Sequence, residues 1–121
     1  MILPFKPRFE QPIDDGTKIH SLREDKHNRW RAGRVIHMAT GVRTPKYKCF
    51  KEAVCKGVQR VEITSADFYE DFIVKIDGRK LSAEEIKQLA INDGFRSMYG
   101  FFDWFSEGFE GEIIHWTDYK Y

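Results

Sequence analysis

Up to residue 81 the apolar residues of this chain come in short alternating runs, cut every few residues by glycine, proline or dense charge. Runs of that length and period are half-buried strands. Ile2-Leu3-Pro4-Phe5 reads as the first, ending at Lys6-Pro7. Gly16 resets the chain before a second strand from Lys18 to Arg23, and Val35 to Thr40, closed by Gly41, is a third. Tyr47 to Val54 and Val58 to Thr64 follow, separated by Lys56-Gly57. Phe72 to Ile76 turns at Asp77-Gly78, a dipeptide that two-residue hairpins favour, into Arg79-Lys80-Leu81. Gly111 to Thr117 is the last strand. Between the first two, Arg8 to Asp15 fits a short helix that Pro12 keeps irregular.

The pattern changes at Ser82. Ser82-Ala83-Glu84-Glu85 is a capping box, Ile86, Leu89 and Ala90 follow at helical spacing, and Gly94 ends the helix. A second helix starts near Ser97, its apolar face built from Met98, Phe101, Phe102 and Phe105, most simply core. Many short strands with helices near the ends predict an α+β, mainly β fold: a small mixed barrel with flanking helices. A length of 121 residues has room for one domain, taken as 1–121. Ten Phe, five Tyr and three Trp supply a core that needs neither disulfides nor metal.

No apolar run approaches the roughly 18 residues of a membrane span, and no signal-peptide pattern opens the chain. Cys49 and Cys55 are too few for a disulfide framework, and their spacing is not that of a zinc knuckle. A reduced, cytoplasmic protein without membrane contact, monomeric or weakly dimeric, is the expectation. His20, His27, His37 and His115 have no metal-ligand spacing, and there is no glycine-rich phosphate loop, so no metal or cofactor is expected.

The net charge of +1 hides an asymmetry. Residues 1–60 carry 14 Lys and Arg against 6 Asp and Glu, and residues 61–121 carry 6 against 13. Either the basic half forms a patch that attracts phosphates, or the two halves interleave in space and neutralise each other.

The chemistry concentrates in Gly16-Thr17-Lys18-Ile19-His20-Ser21-Leu22-Arg23 and Arg29-Trp30-Arg31-Ala32-Gly33. On a regular strand Lys18 and His20 share one face, Ser21 and Arg23 the other. A lysine, a hydroxyl and an arginine crowded together suit an anionic or amide-bearing ligand. The plainer alternative keeps Lys18 protonated at the surface, contacting phosphate or carboxylate. Arg23 suits bidentate contact with such a group, or pins a structural carboxylate such as Glu24 or Asp25. Trp30 and Tyr47 lie in basic stretches, where an aromatic stacks on a base or closes one end of the barrel. Lys26, Arg29, Arg31, Arg34, Arg43, Lys46 and Lys48 would form a salt-sensitive electrostatic approach.

Gly16, Lys18, Ser21 and Arg23 resemble the Gly-x-Lys-x-x-[Thr/Ser]-x-Arg signature of the ASCH (activating signal cointegrator homology) domain, part of the PUA-like superfamily of small β-barrels. The arginine-containing loop and Gly33 before residues 35–40 resemble the family's continuation. Leu81 with the helix to Ala90, Asp93-Gly94-Phe95, Phe102-xx-Phe105 and Ile113-Ile114-His115-Trp116 resemble the tail of bacterial and phage ASCH-like proteins. The resemblance covers most of the chain through short, degenerate motifs. It implies a five- or six-stranded barrel with a cleft roofed by the Gly-x-Lys loop, where such domains bind RNA or nucleotides. Some single-domain members hydrolyse N4-acetylcytidine and related N-acyl cytosines through a lysine and a threonine of the signature and a later glutamate. Carried onto this chain, these are Lys18, Ser21 and Asp93. The aspartate is one methylene shorter than glutamate, and the serine lacks the methyl that holds threonine's rotamer.

On that basis Ser21 attacks an amide carbon if a neutral Lys18 takes its proton, and Asp93 protonates the departing amine or orients a water. The lysine's pKa would then fall well below ~10.4, with Arg23 and His20 as candidate neighbours. The leading expectation is a domain that binds RNA, a nucleotide or a modified nucleoside. Its basic cleft is formed by Gly16, Lys18, Arg23, Trp30, Arg31, Arg43 and Lys46. The alternative is a small N4-acylcytidine amidohydrolase using Lys18, Ser21 and Asp93. A third is an interaction module docking through its acidic C-terminal half. A sheltered Lys18 beside Ser21 and Asp93 favours catalysis, an open basic groove favours RNA, and a plugged cleft favours docking.

Overall fold

The alternating runs become eight strands in the computed structural model, which describes residues 1–121. They are β1 (Ile2–Pro4), β2 (His20–Arg23), β3 (Val35–Thr40), β4 (Lys48–Val54), β5 (Gly57–Ile63), β6 (Val74–Ile76), β7 (Arg79–Lys80) and β8 (Phe109–His115). The helices are α1 (Glu10–Asp14), preceded by a 3-10 turn at Pro7–Phe9, then α2 (Ala83–Asn92) and α3 (Met98–Phe105). The architecture is α+β and mainly β. One sheet has the order β1-β3-β4, with β1 parallel to β3, and the other, wholly antiparallel, has the order β2-β8-β5-β6-β7.

The chain changes sheets at Cys55-Lys56, where the Cys55 N–H donates to Arg34 O and the Lys56 N–H to His115 O, both at 2.8 Å. The two sheets do not close into one continuous ladder. β1 and β2 lie at neighbouring sheet edges without backbone pairing, and Pro4 has no N–H to offer there. A side chain bridges the gap instead: Arg23 Nη2 donates to Pro4 O at 2.6 Å.

Alternation along the strands divides the core in two. Ile113 of β8 joins Leu22, Val61, Ile63, Val74 and Ile76 against Leu89, Phe101 and Phe105 of the helices. Its neighbour Ile114 points the other way, into a second cluster with Leu3, Phe5, Ile13, Trp30, Ile36 and Met38. The five-stranded sheet is therefore packed on both faces. Inserting β8 between β2 and β5 also threads the acidic half of the chain through the basic half.

Local sequence signals hold where they are strongest. The capping box is complete, Glu85 N donating to Ser82 Oγ at 3.2 Å and Ser82 N to Glu85 Oε1 at 3.0 Å. Asp77 and Gly78 take φ of 51° and 82°, the double left-handed turn a two-residue hairpin needs. Several strand boundaries move, and β8 runs Phe109–His115 rather than Gly111 to Thr117. β2 begins at His20 rather than Lys18, and β6 at Val74 rather than Phe72, because residues 69–71 form a 3-10 turn. No helix is long and apolar enough to cross a membrane.

Candidate functional site

Two local devices bring Lys18 to Asp93, 75 residues further along. At α1, Gly16 adopts φ 84° and the Lys18 N–H donates to Pro12 O at 2.9 Å, turning the chain sharply into β2. At the end of α2, Gly94 N donates to Ile91 O and Phe95 N to Ala90 O, both at 3.0 Å. This is a Schellman motif, and Gly94 at φ 91° is its left-handed residue. Incoming residues cap the last carbonyls of α2: Ile19 N donates to Asn92 O at 2.8 Å, and Lys18 Nζ to Asp93 O at 2.6 Å. A cation at that position also complements the helix dipole. A Cβ on Gly94 would come within 3.0–3.3 Å of the Lys18 stem, so this glycine leaves the room in which the stem lies.

Lys18 and Asp93 are 3 % and 4 % exposed, at the floor of a cavity of about 290 Å³. Lys18 Nζ reaches Asp93 Oδ1 at 3.1 Å. The same oxygen binds His20 Nδ1 at 3.1 Å, while no protein donor reaches Oδ2. His20 Nε2 meets the Tyr121 hydroxyl at 2.5 Å, and Asn92 Nδ2 donates to that hydroxyl at 2.9 Å. A carboxylate accepts, so His20 carries its proton on Nδ1, and Tyr121 donates to Nε2. The result is an ordered buried chain running from Lys18 through Asp93 and His20 to Tyr121 and Asn92.

Burial pushes Lys18 below the ordinary lysine range; Asp93 opposes the shift by charge and hydrogen bond, and Arg23 adds to it. Burial likewise lowers His20 against the pull of Asp93, which keeps the imidazole neutral. It brings Arg23 down to about 10 and raises the Tyr121 hydroxyl. Burial, and then the charge of His20 with its ring centroid 5.4 Å away, lowers His115 to about 3.

The cavity opens between β1 and β2, under the α2–α3 connection. Phe5, Phe9, Phe95 and Trp104 form its aromatic walls, and Ser21 and Arg23 share the floor with Lys18 and Asp93. Lys18 Nζ lies 4.9 Å from the Phe9 ring centroid, and Arg23 Cζ lies 4.8 Å from that of Phe5. Arg23 Nε donates to Ser21 Oγ at 2.9 Å, and no hydrogen bond joins Ser21 to Lys18. The floor thus offers cationic donors, a hydroxyl and one free carboxylate oxygen to a flat ligand held between aromatic rings.

Of the residues singled out by sequence, Lys18, Ser21, Arg23 and Asp93 converge here, and Gly16 forms the turn that delivers Lys18. Lys18 escapes the strand alternation because β2 starts after it, so it lines the cavity alongside Ser21 and Arg23. Trp30 is 8 % exposed and belongs to the second core cluster, away from the cavity lining. Arg31, Arg43 and Lys46 are exposed and do not line it either. From the sequence His20 stands out only as a neighbour of Lys18. Its partners Asn92 and Tyr121, and Phe9 and Trp104 of the aromatic walls, carry no sequence signal beyond composition. No three His, Cys, Asp or Glu side chains converge to hold a metal ion. No family model, curated protein or solved structure matches this chain.

Proposed function

We propose that the chain is an ASCH-like domain whose cavity receives a cytosine-type base, and that it hydrolyses the N4-acyl form of that base. The gap between β1 and β2 would be the open seam of a PUA-like barrel. One observation carries the reading: a buried lysine–carboxylate pair, with a free carboxylate oxygen, at the floor of a small aromatic cavity. An RNA-binding surface formed by the loops at 26–34 and 43–48 has less support, because those loops do not line the cavity and Trp30 is buried.

The hydrogen bonds favour direct attack by water over attack by Ser21, whose hydroxyl is bonded to neither Lys18 nor Asp93 and so has no base to take its proton. Water adds to the acyl carbon as its proton passes to Asp93 Oδ2. The Lys18 ammonium stabilises the oxyanion that forms on the former carbonyl oxygen. The C–N4 bond then breaks while Asp93 returns the proton to nitrogen, releasing the cytosine amine and a carboxylic acid. His20 holds Asp93 in place through Nδ1–H, and Tyr121 holds His20. Ser21 and Arg23 orient the base.

Incubating the protein with N4-acetylcytidine tests the reading, with cytidine and acetate followed together. Release of both in equal amounts, lost in Lys18→Ala, is expected. No release by the folded wild type, together with no binding of cytidine, overturns the assignment.

A further inference from the structure

The mouth of the cavity carries chemistry that this mechanism does not use. Lys6 lies on the cavity wall, and Arg8 and Arg96 line a wider groove of about 810 Å³ that shares Phe9 and Phe95 with the cavity. Trp104, 47 % exposed, lines the cavity, and Lys6 Nζ and Arg8 Cζ each lie 4.9 Å from its ring centroid. All three cations are exposed, and none makes an ion pair. Elsewhere Lys48, Arg60 and Arg79 each hold a carboxylate at 3.2 Å or closer. Asp15 lines the same groove, but its Oδ1 accepts from the Thr17 N–H at 2.9 Å. Two cations gathered around one exposed ring repel each other, and a bound anion relieves that repulsion.

We propose that the ligand of this site is phosphorylated, with its base in the cavity and its phosphate held by Lys6 and Arg8, Arg96 lining the same groove. The proposal rests on the base-binding reading above and adds the substrate class: a nucleotide rather than a free nucleoside. Arg8 supplies a planar fork suited to phosphate oxygens, and Lys6 a point charge. Trp104 lines the cavity and contacts both cations, so the sugar joining base to phosphate would pass beside its ring. A mononucleotide and a nucleotide within a strand present the same chemistry here.

Calorimetric titration with cytidine, cytidine 5′-monophosphate, ribose 5-phosphate, ribose and a cytidine trinucleotide, each at two salt concentrations, tests the proposal. The monophosphate is expected to bind about tenfold more tightly than cytidine at low salt, an advantage that shrinks as salt rises. Ribose 5-phosphate should bind where ribose does not. In the doubly substituted Lys6→Ala, Arg8→Ala protein, whose fold is checked by circular dichroism, the ratio of the two cytidine affinities should fall to about one. Equal binding of cytidine and its monophosphate, with no binding of ribose 5-phosphate, overturns the phosphate site. Binding of ribose 5-phosphate without either cytidine ligand supports the phosphate site and overturns the base-binding reading. A trinucleotide that binds more tightly than the monophosphate assigns the strand as the source, and one no tighter assigns the mononucleotide.

Discussion

The cavity floor and the loop at residues 24–34 contain the same kinds of side chain, and the fold treats them in opposite ways. On the floor, Lys18, His20 and Asp93 are buried, each with assigned partners, and an oxygen of Asp93 is left free beside an aromatic cavity. In the loop, Lys26, Arg29 and Arg31 are exposed, and the one carboxylate that organises the turn does so for the backbone. Asp25 accepts from the N–H groups of Arg29 and Trp30 at 2.8 and 3.0 Å. That turn delivers Trp30 into the core. Ionisable groups withdrawn from water carry a desolvation cost, and such groups cluster where chemistry is done. The exposed cations of the loop carry no such cost and line no part of the cavity.

The largest expected effect lies on the floor. Lys18→Met leaves Asp93 buried without its cation and should cost about 3–5 kcal/mol in urea unfolding. The double variant Lys18→Met, Asp93→Leu should regain part of that stability while remaining inactive, the rest being lost because the buried His20 Nδ1–H has no acceptor. A single substitution costing less than about 1 kcal/mol, the range of an exposed pair, would contradict the burial described.

Trp30→Ala sharpens the contrast from the other side. A core role makes it destabilising by about 3–5 kcal/mol, with the affinity of the folded protein for cytidine unchanged. A large loss of affinity at unchanged stability would return Trp30 to the ligand site.

Buried histidines set the pH response. The fold holds His20 and His115 neutral, His115 down to about 3, whereas unfolded histidine titrates near ~6.5. Between those values the unfolded chain binds more protons. Stability is therefore full above ~6.5 and falls with pH by about 1.4 kcal/mol per pH unit for each histidine. Unfolding measured between about pH 7 and pH 5 checks this slope, and His115→Gln should remove one histidine's share of it.

The smallest effects belong to the exposed cations. Arg31→Ala, Arg43→Ala and Lys46→Ala should each change stability by less than about 0.5 kcal/mol and leave turnover of N4-acetylcytidine unaltered. A tenfold fall in turnover for any of them would restore the basic loops to the site.

The same contrast explains what could be read in advance. The capping box at Ser82 and the Asp77-Gly78 turn are decided by neighbours in sequence, and both are formed as their residues dictate. The meeting of Lys18 with Asp93 depends on the ends of α1 and α2 and was suggested only by resemblance to a family. Trp30 stands alone in a charged loop, where no periodicity tells a buried ring from an exposed one. Counting charge by halves left a basic patch and an interleaved arrangement both open, and the topology agrees with the second: β8 runs between β2 and β5, so the chain's two halves share one sheet. Phe5, Phe9, Trp104 and Tyr121 reach the site from elements far apart in sequence, and composition alone leaves such aromatics as undifferentiated core.

The most direct test compares initial rates of N4-acetylcytidine hydrolysis for the wild type, Asp93→Asn and Ser21→Ala. With Asp93 as the group that takes and returns the proton, Asp93→Asn should lose about 10³-fold in kcat, and Ser21→Ala should stay within about tenfold of the wild type. An inactive Ser21→Ala beside an active Asp93→Asn would contradict the account, making the serine the nucleophile and the carboxylate a structural partner of Lys18.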